Sequence, residues 1–166
     1  MKVFSEVIVL RRIILLVVAF LEVIVLFGCN DQNTVVSMKN YELTEFEVNI
    51  YSDASMVIVD ESVSSKGLSL EFHYYGEYEG LTGTWYTLFL FDENEWDELS
   101  YIIDENVGWN SIAFVVEKNR VSEVSIDWEW LYGELPAGRY LIVKKFLNHR
   151  GLGENDQYYL ACEFTI

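Results

Sequence analysis

Two kinds of apolar pattern divide the chain. From Ile13 to Phe27 apolar residues run unbroken except for Glu22. Beyond Cys29 the pattern changes to short alternating or apolar runs separated by polar turns, with no sustained 3.6-residue period, which predicts an all-β domain. The clearest strands are Leu68 to Tyr74, Trp85 to Phe91, Ile112 to Val116, Val121 to Asp127, Arg139 to Phe146 and Tyr158 to Ile166. One or two more precede them. Phe46, Val48 and Ile50 alternate with Glu45, Glu47 and Asn49, and Met56 to Val59 is a short branched run suited to open a sandwich. Residues 30 to about 40 carry no periodic pattern and read as a spacer.

Turn chemistry agrees with this reading. The only proline and a glycine fall in Leu135-Pro136-Ala137-Gly138, immediately before the β-prone run that Tyr140 begins. A tyrosine so placed suits a tyrosine corner, its ring in the core and its hydroxyl bonded back to upstream backbone. Trp128, Leu131 and Tyr132 are spaced like one helical turn ended by Gly133, a lid over one end of the sandwich.

The first 28 residues have a polar start with Lys2, Arg11 and Arg12 ahead of the apolar core. That core is short of the roughly 20 apolar residues a membrane span requires. Glu22 in its middle would cost a few kcal/mol more in hydrocarbon. Leu26-Phe27-Gly28-Cys29 directly behind it resembles a bacterial lipoprotein cleavage site, with the cut between Gly28 and Cys29. That resemblance implies a diacylglyceryl thioether on Cys29, an acylated new amino terminus in many bacteria, and a stable membrane anchor. The alternative is an ordinary cleaved signal with Cys29 merely near the cut.

Removal of residues 1 to 28 would leave 8 Lys and Arg against 25 Asp and Glu, a net charge near −17. Such a field excludes nucleic acid and anionic headgroups as partners and favours cations or basic molecules, unless it serves solubility alone. With Cys29 lipidated, Cys162 has no disulfide partner, and its place in an alternating run predicts a buried, unreactive thiol.

Few residues suggest catalysis. His73 and His149 are far apart and lack spaced Cys or His companions, which argues against a zinc site. The sequence contains no Gly-x-Ser-x-Gly elbow and no phosphate- or dinucleotide-binding glycine loop. No cofactor is expected. Two features remain as candidate sites. One is the acidic turn Asp92-Glu93-Asn94-Glu95 with Asp97 and Glu98, either a calcium loop without the EF-hand spacing or a solvated hairpin turn. The other is the set Trp85, Trp96, Trp109, Trp128 and Trp130, which reads as core or as a platform for stacking sugar rings or a peptide.

The run from Asp127 to Lys144 resembles a bacterial immunoglobulin-like domain family of Gram-positive lipoproteins and exported proteins. Its signature falls on Asp127, Trp128, Tyr132, Gly133, Gly138, Tyr140 and Lys144. Trp96 and Trp109, in Asn94-Glu95-Trp96 and Trp109-Asn110-Ser111, and the ending Glu163-Phe164-Thr165-Ile166 are similar to its other runs. The resemblance covers roughly residues 56 to 166. It implies an immunoglobulin-like β-sandwich with Greek-key connections and about 7 to 8 strands, outside the cell, with no catalytic residues. The resulting organisation is a signal peptide at 1–28, a lipidated Cys29 and spacer or leader strand at 29–55, and the sandwich at 56–166. The expected function is a lipid-anchored, non-catalytic interaction or structural module on the outer face of the membrane. The alternative is a lipoprotein that captures a cationic peptide or a carbohydrate at an acidic, aromatic surface. A third reading, an enzyme, would need Glu129 and Glu134 paired in a cleft near the Trp128 lid.

Overall fold

A computed structural model describes residues 41–43, 45–103 and 107–166. The signal segment, Gly28, Cys29 and the spacer at 30–40 lie outside the described residues. Among the described residues eight strands form two sheets. β1 (Ala54–Ile58), β2 (Gly67–Tyr74) and β6 (Val121–Asp127) make an antiparallel three-stranded sheet in the order β1-β2-β6. β3 (Glu79–Asp92), β4 (Glu95–Glu98), β5 (Ala113–Val116), β7 (Arg139–Gly151) and β8 (Glu154–Thr165) make the second, in the order β4-β3-β7-β8 with β5 also on β3. The chain crosses between sheets after β2, after β5 and after β6. The last crossing passes through α1 (Glu129–Tyr132).

Alternation places the core. On β2, Leu68, Leu70, Phe72 and Tyr74 are buried while the residues between them are half-buried, the period-2 pattern of a strand with one face inward. They meet Tyr86 and Leu88 of β3, Tyr140, Ile142 and Phe146 of β7, and Leu160 and Phe164 of β8. Each such side chain contributes roughly 1.5–3 kcal/mol when fully buried. Trp128, Leu131 and Tyr132 close one end of this core. The Trp128 ring stacks on Phe164 at 5.3 Å, and its indole N–H donates to the Ser65 carbonyl at 2.9 Å. Gly133, at φ +74°, ends the helical turn. Tyr140 is buried, and its hydroxyl donates to the Pro136 carbonyl at 2.9 Å.

β7 is buried on both faces. Tyr140 through Lys144 are five consecutive buried residues, because Leu141 and Val143 belong to a second apolar cluster with Val48, Phe89 and Ala161. The leader covers that outer face. Phe46 packs edge-on against Tyr159 at 4.8 Å, and Trp85 and Phe89 lie about it. The alternation at 45–50 predicts a strand, but only Val48 pairs there, in a parallel bridge to Tyr159. Asn49 explains why: its φ is +58°, which interrupts extended backbone. Ile50 accordingly points outward and is exposed. The Asn49 side chain then does the work of a strand residue. Its amide donates to the Ala161 carbonyl at 3.0 Å and accepts the Ala161 N–H at 2.9 Å. This covers part of the free edge of β8.

The acidic segment also contains more order than its composition suggests. Glu93 and Asn94 both have positive φ and join β3 to β4 in the two-residue geometry that suits the twist of a hairpin.

Asn49→Ala is expected to lower unfolding stability by about 1–3 kcal/mol, since it strips partners from buried backbone at Ala161 and leaves a residue poorly suited to positive φ. Urea denaturation of the two proteins checks this.

Candidate functional site

Lys144 is the most unusual core residue. Its place in an apolar run of β7 puts it inward, and its side chain is fully buried. Along β3 the register with β7 runs from Glu79 to Thr82 and resumes at Tyr86. The Lys144 ammonium spans this break, donating to the Gly83 carbonyl at 2.8 Å and the Trp85 carbonyl at 3.2 Å. Among the described residues no carboxylate lies in ion-pair range of it. Burial without a counter-charge disfavours the protonated form and lowers the amine from its usual 10.5 to about 8.

Beside this break a cleft of about 300 Å³ opens between the sheets. Thr84 and Tyr86 of β3, Phe114 of β5 and Lys144 of β7 line one side. Val124 to Asp127 of β6 line the other, with Trp109 and Asn110 from the β4–β5 loop and Trp130 from α1. Three rings stand edge to face along it. Tyr86 and Trp109 are 5.2 Å apart, and Trp109 and Trp130 are 6.0 Å apart. Two of them are pinned by hydrogen bonds. The Tyr86 hydroxyl and the Trp130 indole N–H both donate to the Asp127 carbonyl, at 3.1 and 3.0 Å. The Asp127 carboxylate accepts the Glu129 N–H at 2.9 Å through one oxygen. Asn110 is held by the Thr84 hydroxyl, which donates to its side-chain oxygen at 2.9 Å. Trp130 is half exposed. Burial raises the Tyr86 and Tyr132 hydroxyls above the usual phenol range; the Tyr86 hydroxyl donates to the Asp127 carbonyl, while that of Tyr132 accepts the Leu88 N–H at 3.3 Å.

The remaining candidates separate. Of the five tryptophans, Trp128 is core, while Trp109 and Trp130 meet at the cleft. Trp85 and Trp96 lie on the outer face of the five-stranded sheet. Trp96 packs on Phe91 at 4.9 Å and edge-on to Tyr41 at 5.8 Å. The Arg139 guanidinium sits 4.2 Å over Phe91 and pairs with Glu163. Glu129 and Glu134 do not share a cleft. Both are surface groups bridged by Lys66, at 2.7 and 2.8 Å. In the acidic hairpin, Glu98 accepts the Thr87 hydroxyl at 2.7 Å and Asp92 accepts the Glu93 N–H at 3.0 Å. Among the described residues no group of three His, Cys, Asp or Glu is placed to hold a metal ion. His73 lies 3.8 Å from Glu71, and His149 is bonded to Asn155 at 2.7 Å. Cys162 is partly buried, and burial pushes its thiol above the usual range.

A family model for the bacterial Ig-like domain matches residues 34–165. The chain belongs to this family. The Ig-like match reaches upstream of β1 into the leader that packs on the outer face. No curated protein and no solved structure matches the chain significantly. In this Ig-like domain the residues that carried the sequence resemblance divide by role. Trp128, Tyr132 and Tyr140 fill the core, Gly133 and Gly138 shape turns, and Trp109, Asp127 and Lys144 border the cleft. At Gly138 a Cβ would meet the Tyr140 ring at 3.1 Å, so the corner leaves little room for a side chain.

The Lys144 amine is expected to titrate near pH 8 in the folded domain. Because this folded value lies below the unfolded 10.5, the native state gains stability as pH rises from 8 to 10.5. Relative to Lys144→Met, the wild type should therefore become more stable across that window. NMR titration of the Lys144 Cε group and paired urea unfolding at pH 7 and 10 check both statements.

Proposed function

We propose that the chain is a lipid-anchored, non-catalytic Ig-like interaction or structural module displayed on the outer face of a bacterial membrane. Residues 1–28 are its signal and Cys29 its lipidated residue. The observation that carries this reading is a lipobox-like Leu26-Phe27-Gly28-Cys29 directly upstream of a matched Ig-like domain. The non-catalytic part is supported by Glu129 and Glu134, which lie at the surface with Lys66 between them. The strongly acidic composition favours a neutral or basic partner over nucleic acid or an anionic wall polymer.

A second reading has a specific observation behind it. The cleft, with a hydrogen-bonded Trp130 edge to face with Trp109, favours a domain that also captures a ligand, in line with an aromatic site for a carbohydrate or a cationic peptide.

Anchoring is tested in a Gram-positive host that expresses the full chain and is fed an alkynyl fatty acid. The wild type is expected to take up label, partition into detergent and begin at a modified Cys29 by mass spectrometry. Cys29→Ser is expected to lose the label. An unlabelled wild type released into the medium would refute the anchored reading.

A further inference from the structure

We propose that the cleft between β3, β5 and β6 binds one neutral, hydroxyl-rich ring of a glycan, with Trp130 and Trp109 as its stacking surfaces and Asn110 and Asp127 as its polar anchors. This rests on the ligand-capture reading of the domain. Four observations carry it. The volume, about 300 Å³, suits one small ring with its substituents rather than a folded partner. The walls combine apolar ring faces with fixed polar groups, the mixture that a sugar presents in reverse through its C–H faces and its hydroxyls.

The polar groups are set in position before any ligand arrives. Thr84 holds the Asn110 side-chain oxygen, so the amide N–H₂ is the part of that side chain these bonds leave as a donor. The Glu129 N–H engages one Asp127 carboxylate oxygen, which leaves the second as an acceptor. A donor at Asn110 and an acceptor at Asp127, both residues of the cleft lining, match sugar hydroxyls, each of which both gives and takes a hydrogen bond. Trp130 is likewise held by its own indole N–H, yet half of it remains open to solvent. Such pinning lowers the ordering cost of binding.

Charge selects among ligands. Asp127 is an exposed acidic residue of the cleft lining, and the chain's net charge of −16 repels an anionic ring on approach. Lys144 does not reverse this, because its ammonium is fully buried and already donates to two carbonyls. A cationic peptide meets no such repulsion, but it offers no apolar C–H face flanked by paired hydroxyls. It therefore serves as the comparison ligand.

The test uses the full chain in detergent micelles, titrated with glucose, N-acetylglucosamine and their short oligomers. The parallel arms are glucuronate and a Lys-rich peptide. Tryptophan fluorescence and calorimetry are the readouts. A neutral sugar is expected to give a saturable change, weakened at least about tenfold by Trp130→Ala and by Asn110→Ala. Glucuronate is expected to bind more weakly than glucose. Trp130 is half exposed, so its replacement should leave the far-UV circular dichroism intact, and Trp96→Phe on the opposite face should leave binding unchanged. Absence of saturable binding by every neutral sugar would overturn the proposal. So would binding that survives both cleft substitutions, or preference for the peptide or for glucuronate. Fatty-acid labelling at Cys29 does not depend on the cleft, so anchoring and sugar binding fail separately.

Discussion

The break in register between Thr82 and Tyr86 shapes this domain more than any other feature. A 14-residue strand that twists continuously cannot serve two edge partners and one central neighbour along its whole length. β3 divides instead. Gly80–Gly83 pair with β5, Phe89–Asp92 pair with β4, and β7 runs beside both halves. The cost is backbone between Thr82 and Tyr86 without a β7 register. Lys144 meets that cost by donating to two of its carbonyls from inside the core. Buried polar backbone demands a partner, and a long side chain on the central strand reaches what the ladder does not. The cleft opens beside this place, where the loop carrying Trp109 ends and β5 joins β3 at Ala113 and Gly83.

Burial of β7 on both faces follows from the same arrangement. One face meets the three-stranded sheet, and the other meets the leader through Leu141 and Val143. The described leader residues from Tyr41 onward are thus part of the packed domain. Asn49 makes this possible with one side chain, since it turns the backbone at positive φ and also closes two hydrogen bonds on β8. The family match, which begins at residue 34 and so takes in these leader residues, is consistent with this packing.

Much of the sandwich was legible because strands with one buried face announce themselves by alternation. Leu68 to Tyr74 reads as a strand for that reason, and β2 occupies Gly67–Tyr74. The turn around Pro136 and Gly138 likewise identified Tyr140 as a core residue. Other elements were hidden by chemistry that local pattern does not encode. β4 is acidic and mostly exposed, so its composition looks like a turn, and its pairing depends on the two left-handed residues at Glu93 and Asn94. The leader alternates like a strand yet makes a single bridge, because one left-handed residue outweighs five residues of pattern. The cleft was illegible for another reason. Its lining comes from four strands, one loop and one helical turn, and only the crossing topology brings them together. Lys144 shares the inward parity of Tyr140 and Ile142, but nothing local indicated the Gly83 and Trp85 carbonyls that let a lysine be buried there.

The central claim is that the Lys144 ammonium holds the broken segment of β3 and, through it, the wall of the cleft. Native-state amide hydrogen exchange on the wild type and on Lys144→Met tests it most directly. Exchange is expected to quicken in the variant at Tyr86 and across the paired Gly80–Gly83 and Ala113–Val116 segments, while β2 and β8 keep their protection. Equal exchange in β3 and β5 of the two proteins, or a uniform acceleration across both sheets, would contradict the account.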